Sequence, residues 1–335
     1  MPTESAHQPA ISVVIPTRDR PAFVRDALAA LQAQTLTAFE VLVMDQSGDE
    51  ATRELTEAFG DARFRYRRMP RPGGCPARNY GAALATAPLV AFLDDDSEPR
   101  ANWLANIVGH FETDPALAFV FGNLRAPAFD PALGEIPECL AGDLVRPGDS
   151  VRALMRHCSG GCMAARKGLL RRIGGFDELL GPANPAVRAN DVSIAYKVYR
   201  SGAKWLAADD VEVMHTHGFR PHTGMDVIHA SSMHGSGVFW GRRVRQGDWR
   251  AALHFAVAEA GLLRRPLGHL IRGGKPRGVK PAWRHLKGFL DGLRLPAEVG
   301  HITGAVLRRM EATALLDPPA AAPGTPIPPA PATAR

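Results

Sequence analysis

The chain has 335 residues, of which 45% are hydrophobic and 22% are charged, which is typical of a globular protein with a sizeable core. It contains no apolar run near the roughly 20 residues that span a bilayer, and its polar N-terminus has no signal-peptide core. These features, with only four cysteines, predict a cytoplasmic protein in a reducing compartment. The spacing of Cys158 and Cys162 does not match a zinc site, so both are interpreted as small apolar residues.

The net charge of +6 is unevenly distributed along the chain. Residues 242–309 contain 15 Lys and Arg but only four Asp and Glu, a net charge of +11, and the rest of the chain therefore carries −5. A mildly acidic region followed by a strongly basic one indicates an anionic partner for the basic segment.

Short β-rich runs alternate with helical patterns over the first hundred residues. The predicted strands are Ile11–Ile15, Phe39–Met44, Phe64–Arg68 and Pro88–Leu93, and the predicted helices are Pro21–Ala33, Thr52–Phe59 and Ala77–Thr86. This alternation predicts an α/β fold with a mostly parallel central sheet. Ligands of such sheets bind beyond the carboxyl ends of the strands.

The second half of the chain is less regular. We predict helices at Ala101–His110, Lys167–Ile173 and Asn190–Arg200, and strands at Phe119–Gly122, Ser159–Met163, Trp205–Ala207 and Val211–His215. Residues 126–150 are expected to form an irregular loop. The predicted division is an N-terminal tail (1–10), a main domain (11–224), a basic helical extension (225–316) and a disordered Pro/Ala tail (317–335).

Three consecutive carboxylates, Asp94, Asp95 and Asp96, follow the predicted strand Pro88–Leu93. Like charges at the end of a buried strand repel each other unless a cation holds them, and a hard divalent cation such as Mg²⁺ or Mn²⁺ suits carboxylate oxygens. Since alternate strand residues point the same way, Asp94 and Asp96 are expected on one side. The ion would in turn bridge the phosphates of a nucleotide. An acidic N-cap for the helix after Pro99 explains the same residues without a ligand.

Five motifs follow one another along the chain: Ser12–Asp19, Phe39–Ser47, Ala77–Gly81, Val90–Asp96 and Gly174–Glu178. Together, over about residues 10–220, they resemble family 2 glycosyltransferases with the GT-A fold. The resemblance implies transfer of a sugar from a nucleotide-sugar to an acceptor, with inversion at the anomeric carbon. The Mg²⁺ or Mn²⁺ cofactor would neutralise the charge that develops on the leaving diphosphate.

The resemblance also implies roles for individual residues. Asp96 is the expected metal ligand, with His215 as a second ligand, and Asp94 is expected near the ribose. The nucleotide-sugar-binding residues are predicted to be Pro16, Thr17, Arg18, Asp45, Arg78, Asp94, Asp95 and Gly161. Simpler interpretations remain open: Asp45 as a turn residue, Arg78 as a surface charge, and His215 as a structural histidine.

A general base must take the proton of the acceptor hydroxyl when inversion proceeds by one displacement. By the resemblance this base is Asp191, at a predicted helix start where the family has a Glu-Asp pair. Asn190 replaces the usual Glu, which leaves open the hydrogen bond that the Glu would make to the acceptor. Asp191 also fits a charge that complements the helix dipole. Gly160 and Gly161 are expected where backbone lies close to the sugar or the acceptor.

The basic segment combines tryptophan and leucine with Arg and Lys, a pattern typical of interfacial helices on anionic lipid. A solvated helical cap on the main domain explains it equally well, and nucleic acid is the least favoured partner because no recognition motif is present.

The leading hypothesis is an inverting, metal-dependent glycosyltransferase that uses a UDP-sugar and a glycan or lipid-linked acceptor of the cell envelope. A dTDP-rhamnose or GDP-sugar donor is an alternative. A nucleotidyltransferase would carry a glycine-rich loop after the first strand, which is absent here. An inactive sugar-nucleotide-binding scaffold is the alternative of another class.

Overall fold

The computed structural model describes residues 8–69, 72–140, 154–155, 158–181, 187–273, 275 and 278–296. Eight strands form the main sheet: β1 (Ile11–Thr17), β2 (Phe39–Asp45), β3 (Phe64–Arg68), β4 (Leu89–Leu93), β5 (Glu98–Pro99), β6 (Leu117–Arg125), β8 (Cys162–Arg166) and β9 (Lys204–Met214). Strands β7 (Gly134–Glu135) and β10 (Arg220–Pro221) form a separate antiparallel pair.

Helices cover the main sheet and continue after it. They are α1 (Pro21–Gln32), α2 (Ala51–Ala58), α3 (Gly74–Leu84), α4 (Trp103–Thr113), α5 (Lys167–Ile173), α6 (Asn190–Arg200), α7 (His222–Arg245), α8 (Trp249–Ile271) and α9 (Val279–Gly292). Across the described ranges, every helix is too short or too polar to serve as a membrane span.

The order of strands in the main sheet is β3-β2-β1-β4-β8-β6-β9-β5. The first four strands are parallel, as is the β6–β9 pair, whereas β8 is antiparallel to both of its neighbours and β5 to β9. The predicted α/β fold is confirmed, and the sheet is mixed beyond β4. Alternate residues of β1 enter opposite cores: Val13 and Ile15 pack on the side of α1 and α4, and Val14 on the side of α3 and α5.

Several predicted boundaries differ from the structure. The strand expected at Ser159–Met163 is β8, which begins at Cys162 and ends at Arg166. The strands expected at Trp205–Ala207 and Val211–His215 are one continuous strand, β9, which ends just before His215. The strand expected at Phe119–Gly122 extends over all of β6. In the predicted loop, β7 forms within the described part, and residues 141–150 lie outside the described residues, as does the whole predicted tail 317–335.

Two glycines end α5 and turn the chain toward the functional edge of the sheet. Gly174 has φ 75° and Gly175 has φ 64°, values in the left-handed region that favours glycine. The chain then passes through Phe176, whose backbone N–H donates to Asn79 Oδ1 at 2.7 Å. It continues to Asp177, which forms a buried ion pair with Arg242 of α7. The motif containing the paired glycines thus connects α3 with the helical extension.

Helices α7 and α9 cross with their backbones in contact. Gly237 and Gly241 of α7 face Gly288 and Gly292 of α9, and both pairs have the spacing that places them on one helix face. A Cβ atom on Gly237 would lie 2.0 Å from the carbonyl oxygen of His285, which is closer than atoms approach. The close crossing therefore requires glycine at these positions.

The helical extension shares a core with the main domain. Leu180, Tyr196, Phe239 and Trp240 belong to one buried cluster, although the first two precede the predicted boundary at residue 224 and the others follow it. That boundary falls within the first turn of α7, which begins at His222.

We predict that Gly237→Ala destabilises the protein by about 1–3 kcal/mol, because the added methyl group forces the two helix backbones apart. Gly268→Ala is the matched control, since a Cβ atom at Gly268 in α8 meets nothing within 4 Å. This control should change the free energy of unfolding by no more than about 1 kcal/mol. Equal stability of the two variants in denaturant unfolding would contradict the close crossing.

Candidate active site

The three consecutive aspartates lie in a turn at the carboxyl edge of the sheet. Strand β4 ends at Leu93, and the backbone N–H of Ser97 donates to the carbonyl of Asp94 at 3.3 Å. Because the chain turns here, the expected strand alternation does not apply, and the three side chains contact different elements. Asp94 contacts α3, Asp95 contacts β1, and Asp96 contacts the segment after β9.

Asp94 pairs with Arg78, which is 97% buried in α3. The guanidinium Nη2 donates to Asp94 Oδ1, while Nε and Nη1 have no hydrogen-bond partner among the described residues. Burial disfavours the charged form of Arg78, but Asp94 together with Cys75 and Asp191 outweighs burial and raises the arginine pKa. Arg78 therefore carries a positive charge with unused donors, a suitable group for phosphate oxygens.

Asp95 is buried and points toward β1. It accepts a hydrogen bond from Thr17 Oγ1 at 2.7 Å and one from Arg20 Nη1 at 3.3 Å. Burial, with the adjacent charges of Asp96 and Asp94, raises the pKa of Asp95 to about 6, although Thr17 and Arg20 oppose that rise. These contacts join the carboxylate turn to the end of β1.

Asp96 and His215 are placed to hold a cation. Asp96 Oδ1 lies 3.5 Å from His215 Nε2, close to the roughly 3 Å between neighbouring ligands of an octahedral Mg²⁺ ion. His215 Nδ1 lies 3.0 Å from the carbonyl oxygen of Pro137. A carbonyl only accepts, so Nδ1 carries a hydrogen, which leaves Nε2 as the nitrogen that would bind a metal after losing any hydrogen it donates to Asp96. The residues present therefore fit the expected ion.

Basic groups offset the charge of Asp96. Arg20 Nη1 lies 3.6 Å and Arg220 Nη2 lies 3.5 Å from Asp96 Oδ2. Burial alone would raise the pKa of Asp96, but His215, Arg20 and Arg220 outweigh burial and lower it. Asp96 is therefore ionised at neutral pH.

His217, two residues after His215, belongs to a different cluster. Its Nε2 lies 2.9 Å from Asp26 Oδ2, and its ring stacks on Phe23 with centroids 4.1 Å apart. Asp26, Glu98 and His217 offer ligand atoms within 4.8 Å of one another. The Asp26–His217 pair explains this cluster without an ion.

Gly160 and Gly161 bring two carboxylates to one point of the chain. A Cβ atom on Gly160 would lie 2.3 Å from Asp191 Oδ1, and one on Gly161 would lie 2.7 Å from Asp94 Oδ2. The backbone leading into β8 therefore contacts the Asp191 side chain at Gly160 and the Asp94 side chain at Gly161. This contact explains why the sequence has two glycines there.

Asp191 stands at the start of α6, beside Asn190. The Asn190 side-chain amide donates to Asp191 Oδ1, so the residue that replaces the family's usual Glu holds the adjacent carboxylate. Burial raises the pKa of Asp191 to about 6, with Arg78 opposing the rise and Asp94 adding to it. A carboxylate with this pKa is ionised at neutral pH and still basic enough to accept a proton.

Comparison with known proteins agrees with this arrangement. Residues 12–174 match the family described as Glycosyl transferase family 2. The chain carries a family 2 glycosyltransferase domain. This match covers four of the five motifs completely and begins the fifth.

The chain spans less than half of the length of the curated relatives that this glycosyltransferase domain matches. The chain is 42% identical over 99 residues to validoxylamine A glucosyltransferase of Streptomyces hygroscopicus, which is 28% of this chain and 24% of that protein. It is 28% identical over 219 residues to the pre-mycofactocin glycosyltransferase of Mycobacterium tuberculosis, or 62% of this chain and 43% of that protein. The names of these two relatives refer to different compounds.

A solved structure shows the same fold as this family 2 domain. S. aureus TarS 1–349 in complex with UDP-GlcNAc aligns with a TM-score of 0.54 and 16% identity, covering 85% of this chain and 89% of that one. The GT-A architecture predicted from the motifs is therefore confirmed.

The predicted nucleotide-binding residues of the family 2 domain differ in their exposure. Asp45 is completely buried, and its oxygens accept hydrogen bonds from the Ser47 N–H at 2.9 Å and from Tyr66 Oη at 2.9 Å. These contacts match the turn-residue interpretation, and a nucleotide contact of Asp45 stays a prediction. Pro16 is also buried, whereas Arg18 is exposed and pairs with Asp19.

Sequence reasoning missed three residues of this site. Arg20 and Arg220 contact Asp96, and Asn79 holds the backbone of Phe176 through both of its side-chain polar atoms. Arg20 directly follows the first motif and Asn79 lies inside the third, so the motifs pointed to both. Arg220 follows the late histidines and had no comparable signal.

Proposed function

We propose that the domain transfers a sugar from a nucleotide-sugar to an acceptor hydroxyl with inversion, and that Asp191 is the general base. The observation that supports this most is the placement of Asp191 and Asp94 against the consecutive glycines Gly160 and Gly161. It brings a proton acceptor next to the Arg78–Asp94 pair, where the donor's charged diphosphate is expected. An inverting transfer needs both groups on opposite sides of one sugar.

Each protein group has a separate task in this reaction. Asp191 accepts the proton of the acceptor hydroxyl as that oxygen attacks the anomeric carbon. Asn190 orients the carboxylate through Oδ1, so Oδ2 is the oxygen expected to take the proton. Arg78 stabilises the negative charge that develops on the departing diphosphate.

Asp96 and His215 would hold a divalent cation, with phosphate oxygens and water completing its ligands. When bound, Mg²⁺ or Mn²⁺ supplies Lewis-acid stabilisation of the leaving group. We propose a UDP-sugar as donor, with dTDP-rhamnose and GDP-sugars as the alternatives, and a glycan or lipid-linked acceptor.

Asp191→Asn should reduce hydrolysis and transfer turnover by about 10² or more while donor binding stays within a few-fold. In the wild type, activity should fall as the pH drops through about 6, because the protonated carboxyl cannot act as a base. The measurement is turnover of UDP-, dTDP- and GDP-sugars across pH, with donor affinity measured by calorimetry.

Asp95→Asn is the control in that experiment, because Asp95 also titrates near pH 6. An acid limb that disappears in Asp95→Asn would assign the limb to Asp95 and not to Asp191. Donor binding without turnover in the wild type would instead support a sugar-nucleotide-binding scaffold.

Asp96→Asn should abolish activation by Mn²⁺, because it removes the charged oxygen beside His215 Nε2. Asp26→Asn is the control and should keep the metal dependence of the wild type, since Asp26 belongs to the separate His217 cluster. The measurement is activity during Mn²⁺ titration after treatment with EDTA. Full activity of the wild type in excess EDTA would exclude a required metal.

We also propose that the helical extension docks on an anionic membrane. Helix α8 exposes an apolar stripe formed by Trp249, Leu253, Val257, Leu267, Leu270 and Ile271. Helix α9 exposes a second stripe formed by Val279, Trp283 and Leu290. At 100° per residue, the members on each helix share one face. On α9 the exposed basic residues Lys280, Arg284 and Lys287 lie along one side of the stripe. Apolar side chains bordered by positive charge are typical of helices in the plane of a lipid interface.

The full chain should co-sediment with anionic vesicles and pellet very little with neutral ones. Each basic residue near the surface contributes about 1 kcal/mol, and salt should weaken this part by screening. The double variant Leu253→Ser, Trp283→Ser should lose the vesicle binding that survives high salt. The control variant Leu133→Ser should keep it, because Leu133 is an equally exposed apolar residue outside the extension. Equal, negligible pelleting with both lipids would show a solvated cap.

A further inference from the structure

The ends of β1, β2 and β3 meet in register around one buried carboxylate. Asp45, the last residue of β2, pairs with Thr17 of β1 on one side and with Arg68 of β3 on the other. Asp45 Oδ1 accepts two hydrogen bonds from Ser47, from its backbone N–H at 2.9 Å and from its hydroxyl at 2.5 Å. Asp45 Oδ2 accepts a third from Tyr66 Oη at 2.9 Å. A buried carboxylate with three donors is held in one orientation.

Tyr66 is itself held by Arg68. Arg68 Nε donates to Tyr66 Oη at 3.0 Å, and Arg68 Nη2 donates to the carbonyl of Asp49 at 2.5 Å and to Glu50 Oε1 at 2.7 Å. Burial raises the pKa of Tyr66, with Arg68 opposing the rise and Asp45 adding to it. The tyrosine hydroxyl therefore keeps its proton at neutral pH, and it donates a hydrogen bond to Asp45 while it accepts one from Arg68.

Ser47 connects the same carboxylate to the turn between β1 and α1. The backbone N–H of Asp19 donates to Ser47 Oγ at 2.8 Å, so this hydroxyl accepts from the turn while it donates to Asp45. Asp19 has φ 56°, and no other non-glycine residue of the described ranges has a positive φ. The left-handed conformation is unfavourable for a residue with a side chain, and it persists where surrounding contacts impose it. The hydrogen bond to Ser47 is such a contact.

This turn carries residues that are predicted to bind the donor nucleotide, among them Thr17 and Arg18. Thr17 Oγ1 donates to Asp95 at 2.7 Å, and Arg20 Nη1 donates to the same carboxylate at 3.3 Å. The turn is therefore attached to Asp95 at both ends, whereas Asp19 in its middle is held by Ser47. A loop that is already fixed in its bound conformation loses less entropy when a ligand binds.

We propose that Tyr66 and Ser47 are positioning residues for the donor nucleotide. Through Asp45 they hold the turn at residues 18–20 in its left-handed conformation before the nucleotide binds. The proposal rests on the proposed function, because the donor is taken to be a nucleotide-sugar. The two hydroxyls act on the affinity for the nucleotide and not on the chemical step.

The test is calorimetric titration of the full chain with UDP, dTDP and GDP in the presence of Mg²⁺. For the nucleotide that binds the wild type most tightly, Tyr66→Phe and Ser47→Ala should each raise the Kd about threefold or more, the size of a lost hydrogen bond. Ser47→Thr retains a hydroxyl and should recover most of the affinity. The control Tyr199→Phe, at an exposed position of α6, should match the wild type. Turnover at saturating donor should stay within about twofold in these variants, because the relay acts before the chemical step.

Two substitutions of Asp19 test the conformation of the turn. Asp19→Gly and Asp19→Ala both remove the ion pair with Arg18, but only glycine adopts a positive φ without steric cost. Asp19→Ala should therefore weaken nucleotide binding more than Asp19→Gly does. Asp19→Ala combined with Tyr66→Phe should weaken binding by less than the product of the two separate effects, because both variants release the same turn.

An unchanged Kd in Tyr66→Phe would overturn the proposal, even if the variant unfolds at a lower temperature, since that would show a purely structural role. Fully multiplicative effects of Asp19→Ala and Tyr66→Phe would overturn it too, because Tyr66 would then act without the turn. The proposal is also wrong if no nucleotide binds the wild type. Nucleotide binding without sugar transfer would contradict the proposed function alone, and the comparison of Kd values would still decide the role of Tyr66.

Discussion

The ion pair between the buried Arg78 and the partly exposed Asp94 determines the arrangement of the functional edge. A guanidinium that is 97% buried is tolerated only with a compensating charge, and removing one partner of such a pair is strongly destabilising. The pair therefore ties the turn after β4 to helix α3. The adjacent Asn79 binds the backbone of Phe176, which extends the same connection to the loop after α5. Gly161 then brings the beginning of β8 against Asp94.

The neighbouring aspartates are satisfied by other parts of the chain. Asp95 is bound by the end of β1, and Asp96 lies among His215, Arg20 and Arg220. The three consecutive carboxylates therefore contact different parts of the chain, with Arg20 shared between Asp95 and Asp96, and these contacts reduce their mutual repulsion without placing them all on one ligand. Of the three, Asp96 lies beside the imidazole proposed as a second metal ligand, and Asp94 lies beside a buried arginine whose Nε and Nη1 have no partner among the described residues.

Local patterns predicted much of this structure, and long-range contacts explain what they did not predict. The β-rich runs and the order of motifs identified β1 to β4 and the edge where their polar ends meet, because these features depend on neighbouring residues. The pattern divided β9 in two, since the polar stretch Ala208–Asp210 interrupts it; the β6–β9 pairing shifts register there and continues. Arg220 could not be matched to Asp96 because they are distant in sequence. The burial of Asp45 depends on Tyr66 of the neighbouring strand.

The core that α6 shares with α7 and α8 affects how the protein can be divided. Composition changes near residue 224, yet Tyr196 of the main domain packs edge-on against Phe239 and Trp240 of the extension, and Arg242 neutralises Asp177. A fragment ending at the change in composition would expose this aromatic surface and leave a buried carboxylate without its counterion. The main domain and the helices are therefore one folding unit, and fusion or truncation points belong beyond α9.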